Sequence, residues 1–190
     1  MFEKKILINT SIPGYKSQDQ LETMGRLIRS LPLGSNIVEL GSCAGRGTWT
    51  ISQNAPLFSK VYAIDTWNDP HLLRGKGHCL EDCKVADKTY FLSQIEKCRN
   101  VIAIQGDARE IQFERSVHCL VIDLDNGPGR NDHFTVWKKW QPLLAKKALL
   151  IGANYFPNRR DDEVSFAEFI RSQTNNLSFE NGIWWSHFQR

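Results

Sequence analysis

The segment NIVELGSCAGRGTWTIS, residues 36–52, constrains the fold more than any other part of this sequence. A short apolar run ends near Glu39, and the glycines Gly41, Gly45 and Gly47 follow it before a stretch with helical patterning. A glycine-rich turn between a strand and a helix lets the backbone approach a bound ligand closely. The segment therefore predicts the first strand–turn–helix unit of a ligand-binding α/β domain.

Apolar runs alternate with helical patterns along the rest of the chain. A helix that begins at the Ser17 capping box precedes the first run, and Asn181-Gly182 predicts a closing hairpin. The runs lack polar alternation, as is typical of parallel strands covered on both faces; they span residues 36–41, 59–65, 100–107, 116–125 and 147–152. We predict a doubly wound, Rossmann-like α/β fold whose mostly parallel, seven-stranded sheet ends in an antiparallel C-terminal hairpin.

Length and composition indicate one ordinary globular domain. We predict that residues 1–190 form this domain, with an N-terminal helical segment at 1–33 and the core at 34–190. The net charge of +3 is too small to indicate nucleic-acid binding, and no apolar run is long enough to span a membrane. The five cysteines have no disulfide-like spacing. We expect a cytoplasmic protein that binds neither nucleic acid nor membrane, and the sequence leaves its oligomeric state open.

Acidic residues follow four successive predicted strands. Glu39 ends the first strand, Asp65 the second and Asp107 the third, while Asp123 and Asp125 lie at the fourth. Ligands of open α/β sheets bind beyond the carboxyl ends of the strands. At these positions Asp65 can accept hydrogen bonds from two ribose hydroxyls, and Asp107 can accept one from an adenine amino group. Asp123 and Asp125 then face the space left for a substrate or a metal.

The glycine spacing alone fits two kinds of cofactor. It matches the pyrophosphate loop of short-chain NAD(P)-dependent dehydrogenases, but those enzymes need a Tyr-x-x-x-Lys pair, and Tyr155 is followed four residues on by Arg159. A whole helix also precedes the first strand here. Glu39 would repel a pyrophosphate, whereas it suits a ligand with positive charge. S-adenosylmethionine (SAM), with its sulfonium and ammonium groups, is such a ligand.

The motifs VELGSCAGRGT, VYAIDTW, IQGDA and CLVIDLD resemble the first four motifs of class I SAM-dependent methyltransferases. More narrowly, the chain resembles a small O-methyltransferase-like group whose fourth strand reads Ile-Asp-Gly-Asp-His. Three further cofactor contacts are predicted from position in the sequence and not from the resemblance. We expect Cys43 to contact the ligand through its backbone, Trp67 to stack near adenine, and Asp123 to contact the cofactor. The resemblance implies SAM contacts at Glu39, Gly41, Ser42, Gly45, Asp65, Asp107 and Ala108.

The chain departs from that group after the fourth and fifth strands. It has IDLDN and IGANY, so that Asn126 stands where the group has a histidine and Ala153-Asn154 stand where it has paired acids. A hard divalent cation needs several oxygen ligands, which makes a metal doubtful as a second cofactor. We therefore predict no metal ligands.

Catalysis has three candidate residues. Methyl transfer is an in-line displacement, and an oxygen nucleophile usually needs a general base. Asp125 is the best-placed carboxylate, with Asp123 beside it and His133 near the start of the following helix. We expect a SAM-dependent methyltransferase that acts on a small molecule, and the resemblance implies oxygen as the acceptor atom. The alternatives are a degenerate, non-catalytic SAM-binding protein and, less favoured, a short-chain dehydrogenase.

Overall fold

The computed structural model describes residues 5–67, 87–124, 132–156, 162–174 and 176–190. Five helices lie within these ranges, and they account for the helical patterns of the sequence. They are α1 (Gln18–Arg29), α2 (Arg46–Asn54), α3 (Lys88–Gln94), α4 (Asp132–Trp140) and α5 (Asp162–Thr174). A short 3₁₀ turn, Gln141–Leu143, connects α4 to the next strand.

Seven strands within the described residues form one sheet, in the order β3-β2-β1-β4-β5-β7-β6. The first five pair in parallel, and β7 and β6 add to β5 in antiparallel pairing. The predicted fold class is therefore confirmed. The strands are β1 (Asn36–Leu40), β2 (Lys60–Asp65), β3 (Val101–Gln105), β4 (Val117–Ile122), β5 (Leu144–Gly152), β6 (Ser178–Glu180) and β7 (Ile183–Gln189).

The strand order reverses between β1 and β4, and this reversal positions the site. Chain connections leave β1 toward β2 on one side, whereas β4 and β5 extend the sheet on the other. A crevice opens at such a switch point, outside the carboxyl ends of the two central strands. The loops after β1 and β4 therefore meet where a ligand can bind.

Local signals set the start of α1 and the closing hairpin as predicted. The Ser17 hydroxyl accepts a hydrogen bond from the Gln20 backbone, and the Gln20 side chain accepts one from the Ser17 backbone, so the capping box is present. In the hairpin, Asn181 and Gly182 have φ of 52° and 78°. Two left-handed residues in a two-residue loop match the twist of the flanking strands.

Two strands differ from the sequence predictions: β3 is less buried than expected, and β5 begins earlier than expected. β3 is an edge strand of the described sheet, and Ile102 on it is 41% exposed. β5 begins at Leu144, before the predicted start at Lys147, since Leu144 pairs with Val117 across an irregularity in the ladder. Pairing with a neighbour, rather than apolar character, extends the strand.

The sheet is buried between two apolar layers. One layer packs α4 and α5 against the sheet and includes the fully buried Trp140 and Trp184. The other packs α1 and α2 on the opposite face, around Leu21, Met24 and Ile51. Among the described helices, none has the length and apolar character needed to cross a bilayer.

Candidate functional site

The loops after β1 and β4 touch at Gly41. This residue has φ of +88°, and a Cβ atom placed on it would lie 2.1 Å from the backbone oxygen of Asp123. The Gly41 backbone donates to the Ile64 oxygen at 2.9 Å, and the Asp123 backbone donates to the Leu40 oxygen at 2.9 Å. Only glycine satisfies both the left-handed backbone and the close approach.

The two later glycines of the turn make room for protein groups. Gly45, with φ of +100°, is the N-cap of α2, and a Cβ there would approach Ile95 at 3.0 Å. A Cβ on Gly47 would lie 2.4 Å from Glu39 Oε1. The sequence predicted that the missing side chain of Gly47 makes room for a ligand. In the structure the Glu39 carboxylate occupies part of that room.

Glu39 is a buried acid, only 1% exposed. Its Oε2 accepts a hydrogen bond from the Thr48 hydroxyl, while Oε1 has no hydrogen-bond partner among the described residues. Burial raises the pKa of Glu39 to about 7, although Lys16 and Thr48 favour the charged form. The neighbouring Ser42 hydroxyl also favours the charged form of Glu39, so the carboxylate lies in a polar part of the site where a donating group can be accommodated.

Lys16 supplies the positive charge that faces these acids. Its ammonium pairs with Asp123 Oδ2, and the side chains of Lys16 and Asp123 are 9% and 22% exposed. Burial alone would lower the pKa of Lys16, but the charges of Asp123 and Glu39 outweigh it, and the pKa is raised. Asp123, predicted as a catalytic and cofactor-binding residue, therefore forms an ion pair in this structure.

Residues 10–16, which we call the N-terminal strap, bring Lys16 to the pocket. The Arg46 guanidinium, at the start of α2, donates to the backbone oxygens of Thr10, Ile12 and Lys16. Ile12 is 1% exposed. One arginine thus fastens three carbonyls of an irregular segment that would otherwise lack backbone partners.

The strap, the glycine turn and Asp123 enclose a small pocket. The cavity has a volume of about 30 Å³, at least twice the roughly 10–15 Å³ that a single water molecule needs. Ser42 lies in its wall, 4% exposed, with a hydroxyl that has no partner among the described residues. The lining residues are Pro13, Gly14, Tyr15, Lys16, Glu39, Gly41, Ser42, Cys43, Ala44, Arg46, Gly47 and Asp123.

Asp65 organises the turn beside this pocket. Its Oδ2 accepts from the Cys43 backbone at 2.8 Å, and its Oδ1 accepts from the Trp67 backbone at 2.9 Å. Cys43 and Trp67 both have φ of +46°, and the Trp67 indole donates to the Cys43 oxygen at 2.9 Å. Asp65 thereby stabilises two left-handed residues, and its carboxylate can accept further hydrogen bonds. Trp67 is 3% exposed and packs on Phe91.

Asp107 and Ala108 lie after β3, two strands away from β1. The Arg109 guanidinium binds both carboxylate oxygens of Asp107, and the Arg109 backbone donates to Oδ1 at 2.8 Å. The Ala108 oxygen accepts from the buried Trp140 indole at 2.9 Å. Neither residue lines the pocket at the strap. The predicted contacts therefore divide into a group around the pocket and a group on β2 and β3.

The catalytic candidates are placed unequally. Asp125 lies outside the described residues. His133 is 6% exposed and stacks on Phe166 with ring centroids 5.0 Å apart, within the packing of α4 on α5. Among the side chains that the structure describes, no group of three or more His, Cys, Asp or Glu residues is placed to hold a metal ion.

Three residues of the site were missed from the sequence. Lys16 and Arg46 meet only through the fold, although the Pro13-Gly14 pair before the helix is a loop signal that marks an irregular segment. Thr48 lies one turn into α2, on the side that faces β1. A donor at that position, nine residues after a buried glutamate, is a signal that could have been used.

No protein-family model and no curated protein matches this chain. Comparison with solved structures finds similar folds. The O-methyltransferase NovP aligns with a TM-score of 0.65 at 11% identity, covering 90% of this chain and 79% of NovP. SMU.1697c, a putative methyltransferase from Streptococcus mutans in complex with SAH, aligns with a TM-score of 0.57 at 15% identity, covering 90% and 98%.

A putative rRNA methylase from Clostridium thermocellum is similar to the same extent. It aligns with a TM-score of 0.58 at 12% identity, and the match covers 92% of this chain and 99% of that one. At such low identities, likeness establishes architecture alone. The chain has the Rossmann-like fold that these methyltransferases share.

Proposed function

We propose that this protein is a SAM-dependent methyltransferase that methylates a small molecule at oxygen. The observation that supports it most is the buried Glu39 carboxylate, whose Oε1 lacks a partner among the described residues beside the glycine turn. Asp123 adds a second acid at the same pocket. Two acids at a switch point favour a cationic ligand over a pyrophosphate.

The residues around the pocket fit the amino-acid end of SAM. Glu39 and Asp123 can accept from an ammonium group, the Ser42 hydroxyl is available inside the wall, and Gly41 leaves the backbone open to close approach. When bound, SAM supplies an activated methyl group on a sulfonium centre. The chain's own contribution is to orient the ligand and exclude water.

The adenosine end is assigned to the neighbouring strands. Asp65 follows β2 and Asp107 follows β3, so both carboxylates lie at the same edge of the sheet as the pocket. We assign the ribose hydroxyls to Asp65 and the adenine amino group to Asp107. Trp67 and Ala108 belong to this half of the proposed site. Here Trp67 contributes through its hydrogen bond to Cys43, which shapes the turn.

The acceptor assignment rests on narrower support. NovP is an O-methyltransferase, which favours oxygen, whereas the Clostridium thermocellum protein is a putative rRNA methylase, so its name favours a nucleic acid. The modest net charge of +3 favours a small molecule. Asp125 is our proposed general base. His133 is packed on Phe166 and is a weaker candidate.

A second function, SAM binding without methyl transfer, has one specific observation in its favour. Ala153 and Asn154 follow β5 in place of an acidic pair, and Ala153 is 8% exposed. This end of the sheet therefore has fewer groups able to bind an acceptor or a cation. A turnover assay separates the two functions.

Calorimetric titration tests the proposed function. SAM and S-adenosylhomocysteine (SAH) are expected to bind, and NADH is expected to give no heat of binding. Absence of binding by both adenosyl ligands contradicts the proposal. A screen of catechols, sugars and hydroxy acids with labelled SAM, run beside an RNA substrate, then distinguishes an enzyme from a binder and a small acceptor from RNA.

The Asp65→Ala variant is expected to weaken SAH binding about tenfold, because a charged hydrogen-bond acceptor is lost and the Cys43 turn relaxes. Calorimetry measures the change. Asp87→Ala is the matched control, since Asp87 also accepts from a backbone N–H, that of Tyr90 at the start of α3. Equal affinity in wild type and Asp65→Ala would remove Asp65 from the binding site.

A further inference from the structure

Among the described residues, Lys16 is the only lysine or arginine that forms an ion pair with an acid of the pocket. It pairs with Asp123 and also faces Glu39, so one charge of this chain partly neutralises two buried acids. A ligand with an ammonium group would need the same two acids. The protein's own lysine thus already binds Asp123, one of the two acids that the proposed cofactor's cation would contact.

We propose that Lys16 is a displaceable internal cation, which occupies the seat of the cofactor's ammonium group and leaves the pocket when SAM or SAH binds. This inference rests on the proposed function and adds a residue that sets cofactor affinity. Lys16 stabilises the ligand-free protein and competes with the cofactor for Glu39 and Asp123.

The ion pair between Lys16 and Asp123 favours replacement over joint occupancy. The Lys16 ammonium already lies on Asp123 Oδ2, so an ammonium group that binds this oxygen needs the lysine to move. Two ammonium groups that share this one carboxylate oxygen would also repel each other. When Lys16 leaves, the incoming cation restores the charge balance of the acids.

The strap provides the means for this exchange. Its backbone is fixed by Arg46 at Thr10, Ile12 and Lys16, outside the pocket floor. Lys16 precedes the Ser17 N-cap of α1 directly, and its long side chain reaches inward from that point. The exchange that we propose is a rotation of this one flexible side chain, during which Arg46 continues to hold the strap backbone.

The Lys16→Met variant tests the competition. At about pH 8.5, above the Glu39 pKa of about 7, the wild-type protein has Glu39 largely ionised. We expect SAM and SAH to bind Lys16→Met about tenfold more tightly than wild type, because no cation must be displaced. Adenosine, which lacks the ammonium group, is expected to bind both proteins equally.

The controls separate this inference from the proposed function. Lys60→Met removes an exposed lysine at the start of β2 and is expected to leave every affinity unchanged. If SAM and SAH bind Lys16→Met as weakly as wild type, or more weakly, the displaced-cation role is wrong while the cofactor assignment stands. If neither protein binds any adenosyl ligand, the proposed function itself is wrong.

A measurement on the wild-type protein covers the case in which Lys16→Met does not fold. Acetic anhydride modifies exposed lysine amines, and mass spectrometry quantifies modification at each site. Lys16, 8% exposed, is expected to be protected without ligand and to react several-fold faster with saturating SAH. Lys60 should react at the same rate throughout. Protection of Lys16 that persists with SAH bound would overturn its displacement.

Discussion

Replacement of Gly41 by alanine is expected to lower the free energy of unfolding by about 4 kcal/mol, measured by chemical denaturation. A Cβ at this position would lie 2.1 Å from the Asp123 backbone oxygen, far inside van der Waals contact. The residue also has φ of +88°, where L side chains are strained. Relief requires the loops after β1 and β4 to separate, so ligand binding is expected to be lost as well.

Gly34→Ala is a control that separates the effect of backbone strain at positive φ from the effect of the Cβ clash. Gly34 has a similar φ of +71°, yet a Cβ there would meet no atom within 4 Å. Its replacement therefore reports backbone strain without a clash, and we expect a loss of about 1 kcal/mol. Equal losses in the two variants would show that the contact with Asp123 contributes nothing to the stability of the site.

The Glu39→Gln variant is expected to be more stable than wild type and to bind SAM about a hundredfold more weakly. The amide keeps the shape of the side chain and can still bond to Thr48, but it removes a buried charge. The same charge is what we assign to the ammonium of the cofactor. Denaturation and calorimetry on one protein measure both effects.

The pH dependence gives the stability effect its sign. The folded protein holds a proton on Glu39 up to a pKa of about 7, whereas the ordinary value is 4.5. The unfolded chain releases that proton first, so the contribution of Glu39 to stability is full below pH 4.5 and falls until about pH 7. At about 1.4 kcal/mol for each pH unit of this window, the loss reaches about 3 kcal/mol.

We therefore expect Glu39→Gln to raise the free energy of unfolding by about 3 kcal/mol at about pH 8, and to have little effect near pH 4.5. Glu96→Gln changes an exposed carboxyl group and serves as the control. A variant that is destabilised at every pH would contradict the cost assigned to the buried charge. Wild-type affinity for SAM would contradict the assignment of Glu39 to the cofactor.

The elements that depend on neighbouring residues were predictable. The Ser17 capping box, the Asn181-Gly182 hairpin and the glycine turn are each encoded within a few positions, and the structure contains all three. The sheet followed from them, because strand–helix alternation leaves few arrangements open. The cytoplasmic location stays a prediction. So does the organisation as one domain with an N-terminal segment at 1–33 and a core at 34–190.

The contents of the site were less predictable. The sequence placed Asp123 toward a substrate or metal, whereas its carboxylate pairs with Lys16, 107 residues earlier in the chain. Asp65 was predicted to bind ribose, and in the structure it also stabilises the backbone of Cys43 and Trp67. A carboxylate has several acceptor positions, so sequence identifies the acid but leaves its partners undetermined.

By itself the sequence determined the α/β class, the glycine turn after β1 and the line of acids at one edge of the sheet. These features depend on local backbone preferences and on strand-end geometry that all parallel sheets share. Only the tertiary structure placed the strap over that edge, with Arg46 holding its carbonyls and Lys16 between Glu39 and Asp123. Contacts between residues so far apart in the chain leave no periodic signal, because burial, and not spacing, decides which charges must meet.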